Sequence, residues 1–163
     1  MTVSREMDRF FQLVLLVITI SLGVSARLNI LGWFFFVGII SIALLGYFHF
    51  KTHLTRMTAL EGKGHVLKIF LSHILFLCLF LFQVDYGSDR GYIVLENLLK
   101  IQPTGWTEIS WALWVLSGML YFYVTLKISN LPEHEKERSF NDETLLISVI
   151  ALVILTFTLT IAL

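Results

Sequence analysis

The chain has 163 residues, 56% of them hydrophobic and only 15% charged, against about 45–50% and about 25% for an average soluble domain. Its formal net charge is zero, which leaves no basic face for a nucleic acid. The single Cys78 excludes an internal disulfide, a Cys-x-x-Cys redox pair and a thiolate zinc cluster.

Five runs approach the roughly 20 apolar residues needed to cross about 30 Å of hydrocarbon. They cover residues 10–25, 29–50, 68–84, 108–126 and 143–163. The pattern predicts one all-α domain over residues 1–163, a polytopic transmembrane helix bundle of five spans, or of four if the short first run does not cross. That first run also imitates a signal peptide, with Arg5 and Arg9 before it and Val24-Ser25-Ala26 as a cleavage site. It is read as a retained anchor helix.

The second run carries Gly38 and Gly46, small residues that let helices approach closely. Beyond it the rhythm Leu54, Met57, Leu60 predicts that the helix continues a turn or more into the cytosol. Glu61-Gly62-Lys63-Gly64 then turns the chain into the third run and lacks the other residues of a phosphate-binding loop. Past the third run, residues 91–101 place Glu96, Asn97 and Lys100 on one side and Tyr92, Leu95, Leu98 and Leu99 on the other. This predicts a helix in the outer interface, or a lid over a pore mouth, stopped near Pro103. Pro132 suits the start of a short surface helix, and Asn141 can cap the fifth span with Asp142 and Glu143 in its first turn.

Charge sets the topology. With the N-terminus in the cytosol, Arg5, Arg9, Lys51, Arg56, Lys63, Lys68, Lys127, Lys136 and Arg138 fall inside, and Arg27, Arg90 and Lys100 outside. This is the sense of the positive-inside rule, and Trp33, Trp106, Trp111 and Trp114 then gather near the outer surface. A multi-pass protein of a bacterial inner membrane fits this arrangement.

No Asp, Glu, Lys or Arg lies within the five runs except at their ends. Intramembrane charges mark proton relays, coupled carriers and voltage sensors, so their absence argues against these classes and against a hydrolase built on paired carboxylates. A pore lined by hydroxyls or backbone survives. Thr156 and Thr160, one turn apart, with Gly38 and Gly46, are the candidate pore-lining or helix-packing residues.

Histidine is the unusual concentration. His49, His53, His65 and His73 stand within 25 residues at the inner end of the second and third spans, and His49 and His53 share a helical face. Neutral imidazoles are ligands for haem iron and other transition metals. Three readings follow: interfacial polar groups with no cofactor, which could act as a pH-sensitive gate; a b-type haem held by His73 with His49 or His53; or a non-haem metal on His49 and His53 with a carboxylate such as Glu61. The partners expected are the lipid bilayer and either further copies of the chain or a larger membrane complex. The sequence favours a non-enzymatic protein self-associating into a channel-like assembly, then an accessory subunit, then a haem-bearing electron-transfer subunit.

Overall fold

In a computed structural model of the chain, residues 2–28, 35–56, 63–86, 91–94, 106–129 and 142–162 are described. Five helices carry the fold: α1 (Thr2–Leu28), α2 (Phe35–Arg56), α3 (Lys63–Leu81), α4 (Trp106–Ser129) and α5 (Asp142–Ala162). Between α3 and α4 a small antiparallel hairpin pairs β1 (Val84–Tyr86) with β2 (Gly91–Ile93), Asp85 opposite Tyr92. The helix expected over 91–101 is therefore wrong at its start, where Tyr92 and Ile93 are strand residues. A strand of three residues is too short for periodicity to reveal. The rest of that helix, with Leu95, Glu96, Lys100 and Pro103, lies outside the described residues.

Helix boundaries moved in informative directions. The run that looked too short is part of the longest helix, at 27 residues. Ala26, Arg27 and Leu28 extend it, and Arg27 is 1% exposed instead of standing in an outer loop. The helix α2 runs on to Arg56, as the Leu54 rhythm predicted, and α5 begins at Asp142 where its cap was read. Two stretches among the described residues are long and apolar enough to cross a membrane: Phe10–Leu28 and Glu108–Ser129, with mean hydropathies of 1.9 and 1.5.

The packing pairs close a ring. The helix α1 packs on α3, α3 on α4, α4 on α2, and α2 back on α1, while α5 docks on the outside of α1. The helices α2 and α3 are neighbours in sequence but face each other across the ring, so what they contribute to its centre meets there. Contacts fix the directions. Phe76 meets Tyr121 and Leu79 lies beside Gly118, so α3 and α4 are antiparallel. Phe48 and His49 meet Phe122 and Tyr121, so α2 and α4 share a level.

Apolar packing holds the ring: Leu16, Ile20, Phe76, Phe80, Tyr121 and Ile128 form its buried centre. Gly23 lets α1 approach α3, since a Cβ there would stand 2.9 Å from the Phe80 ring and 3.2 Å from Phe76. The outside is apolar as well. Phe10, Leu44, Leu67, Met119, Val153 and Phe157 are all more than half exposed. Meanwhile Thr19, Ser21, Ser72, His49, His73 and Thr125 are buried. A water-soluble fold distributes these groups the other way round.

Candidate metal centre

The centre of the ring holds three imidazoles. The α-helical spacing of four residues puts His49 and His53 on the ring-facing side of α2, one above the other. From across the ring, α3 supplies His73. Their ring centroids lie 4.3 Å (His49–His53), 4.9 Å (His49–His73) and 4.4 Å (His53–His73) apart. All three are at most 3% exposed. One nitrogen from each ring lies within 4.8 Å of the other two.

The hydrogen bonds show how each ring is held. His49 Nδ1 lies 3.0 Å from the Tyr121 hydroxyl, and His49 Nε2 lies 3.0 Å from His73 Nδ1. His53 Nε2 lies 2.8 Å from Ser72 Oγ, which donates its own proton to the Ile69 carbonyl at 2.7 Å. With the serine proton so engaged, His53 donates from Nε2 and keeps its lone pair on Nδ1. If Tyr121 accepts from His49 Nδ1, the lone pair of His49 is on Nε2 and faces His73. A hydroxyl on one ring nitrogen fixes the tautomer and leaves the other nitrogen as a donor, which is what outer-shell partners do for metal-binding histidines. Phe76 closes one side by stacking on His49 at 4.2 Å.

The three rings touch directly, so a porphyrin cannot lie between His73 and either partner with iron bonded to both. Bis-histidine haem does not fit this cluster. A bare ion does. Bonds of about 2.0–2.1 Å put two donors at most about 4.2 Å apart, so an ion needs the 3.0 Å His49–His73 contact opened slightly and the third nitrogen, within 4.8 Å, drawn in. The carboxylate expected to complete a metal site, Glu61, is outside the described residues, as is His134. His65 stands two turns before His73 near the start of α3, partly exposed, with a buried Nδ1 that has no hydrogen bond among the described residues.

Sequence reading found the histidines but not their supports. Tyr121 and Ser72 had no signal of their own in the sequence, because both lie in apolar runs at no motif spacing. Their roles follow only from the ring order, which puts α4 beside α2.

The residues weighed as pore lining are placed differently. Thr156 donates to Ser21 Oγ at 3.2 Å and its carbonyl accepts from Ser25 at 2.9 Å, tying α5 to α1. Thr160 bonds back to the Thr156 carbonyl at 2.8 Å. Gly46 is buried, and a Cβ there would meet nothing within 4 Å. Gly38 lies on α2, but its surroundings are outside the described residues.

Compared with family models, characterised proteins and solved structures, this chain matches none.

Proposed function

We propose that the chain is a five-span membrane protein, N-terminus in the cytosol, that binds one transition-metal ion between α2 and α3 through His49, His53 and His73. The observation that carries it is the convergence of three buried imidazoles, two of them bonded to hydroxyls at 3.0 and 2.8 Å. A neutral imidazole suits copper, zinc, iron and nickel. Burying three such rings against each other without an ion leaves lone pairs facing one another, or a proton shared between them.

The membrane reading draws support from the apolar exterior and from the ends of two helices. Lys51 sits 5.9 Å over the exposed Tyr47 ring, and Lys127 sits 5.5 Å over the exposed Tyr123 ring. Paired tyrosines and lysines at one level are typical of a membrane–water boundary. His49 lies between Tyr47 and Lys51 on α2, so the ion would be held close to the inner surface. The hairpin belongs at the other end, because an open sheet edge is not tolerated in hydrocarbon. The hydroxyls that suggested a pore are engaged within the chain, so the histidine site carries the proposal instead.

The test is metal analysis of the intact chain in mild detergent, by native mass spectrometry and elemental analysis. After exposure to copper, zinc, iron and nickel, one tightly held ion per chain is expected. It should be missing in the His49→Ala/His73→Ala double variant. No bound ion, or an ion retained by that variant, sinks the reading. Five spans can be read from the accessibility of single cysteines placed in each connection. An accessible cytosolic C-terminus would rule out the odd number of crossings.

A further inference from the structure

We infer that the ion this site is built to take is monovalent copper, an inference that rests on the metal reading above. The first argument is charge. The cluster is neutral, and Glu108 is the only carboxylate among the described side chains; it is exposed near the opposite end of α4 from Tyr121. The penalty for holding an ion in an apolar interior rises with the square of its charge. A divalent ion on three neutral rings would keep its whole double charge there, while copper(I) keeps one.

The second argument is coordination number. Zinc takes four ligands in a tetrahedron, the fourth being a side chain or water. Here the two hydroxyls beside the rings are both engaged: that of Tyr121 with His49 Nδ1 at 3.0 Å, and that of Ser72 with His53 Nε2 at 2.8 Å and the Ile69 carbonyl at 2.7 Å. Phe76 lies flat over the His49 ring at 4.2 Å. Copper(I) has a filled d shell and is satisfied by two or three nitrogen donors, which is what the site offers. No electron transfer or bond rearrangement is involved; the ion arrives and stays as copper(I).

Cys78 is the competing soft ligand and must be separated from the site. It comes five residues after His73, about 140° around the helix. Its thiol faces Ser117 of α4. The three histidines, not this thiol, are assigned the ion.

The experiment is an anaerobic titration of the full chain in detergent. Copper(I) is delivered from a coloured copper(I) chelator, and zinc(II) is titrated in parallel against a zinc indicator. One copper(I) per chain is expected, bound at least about 100-fold more tightly than zinc(II), a difference of about 2.7 kcal/mol. X-ray absorption should show nitrogen donors without sulfur. Zinc bound as tightly as copper would overturn the copper assignment and leave the metal reading standing. If neither ion binds, both fall. Cys78→Ser should leave copper(I) affinity within about twofold, and loss of binding in that variant would move the ion away from the histidines. His73→Asn and His53→Asn, which keep a polar group of similar size, should each weaken copper(I) by at least about tenfold with helical content unchanged. Unchanged affinity in both would also overturn the assignment.

Discussion

Among the described residues, two polar clusters inside this apolar molecule differ in where their hydrogen bonds go. Between α1 and α5, Ser21, Ser25, Thr156 and Thr160 are hydroxyls, and most of their bonds end on main-chain carbonyls: Leu152 for Ser21, Thr156 for Ser25 and Thr160. Such a region is self-sufficient, and its chemistry is finished once the helices are packed. Between α2 and α3, by contrast, His49 and His73 bond each other, and hydroxyls hold Nδ1 of His49 and Nε2 of His53. Two neutral imidazoles bonded to each other hold one N–H proton between them, at the place where an ion could bind instead. The difference separates packing from function more sharply than burial does, since Ser21 and Ser25 are as deeply buried as His49.

The comparison breaks most visibly if the ligands can be removed without effect. His73→Ala should lower metal affinity by about 1,000-fold or more, roughly 4 kcal/mol, while Thr156→Ala leaves it unchanged. Competition titrations on the two purified variants decide this, and equal losses would mean that the regions are not distinct. Next comes the close approach that holds the ring together. Gly23→Leu pushes a side chain into Phe76 and Phe80, so a loss of about 1–3 kcal/mol of stability is expected, seen as a lowered melting temperature in detergent. An unchanged melt would show that α1 does not press on α3 as closely as the 2.9 Å approach indicates.

The supporting hydroxyl offers a finer test. Tyr121→Phe keeps the ring and removes only the group that holds His49 Nδ1. Outer-shell partners are worth about 10–100-fold in metal affinity, so a loss in that range is expected, with the ion still bound by three nitrogens. Loss of a whole ligand in the absorption spectrum would instead make Tyr121 a direct ligand, and no loss at all would remove it from the site.

Much of this was legible in the sequence, and what was not has physical causes. Helix existence followed from apolar runs long enough to bury or to face lipid, and His49 and His53 were readable as a pair because four residues make about one turn. His73 was suspected on depth alone. Ring order was not readable, because apolar helices with little amphipathic asymmetry carry no mark of which neighbour they face. That is why α2 and α3 looked like a simple hairpin, and why Tyr121 and Ser72 went unnoticed. The hairpin at 84–93 was missed for a related reason. Tyr92, Leu95 and Leu99 fit a helical period, and a three-residue strand is too short to show its own alternation. The hydroxyl face of α5 was seen correctly as a face, but the sequence could not say whether it met water or α1.

The smallest expected effect tests that last distinction. Thr156 Oγ1 donates to Ser21 Oγ at 3.2 Å, and Ser21 in turn donates to the Leu152 carbonyl at 3.4 Å. Both contacts are long and partly exposed. Side-chain hydrogen bonds between membrane helices average about 0.6 kcal/mol in coupling cycles, and this one belongs near or below that value. A double-mutant cycle of Ser21→Ala with Thr156→Val, followed by unfolding in mixed detergent, measures it directly. The same variants should hold their metal unchanged, because α5 packs chiefly on α1. A tenfold fall in metal affinity would mean that the α1–α5 contact positions the histidines through α1, and the two regions would then be one device rather than two.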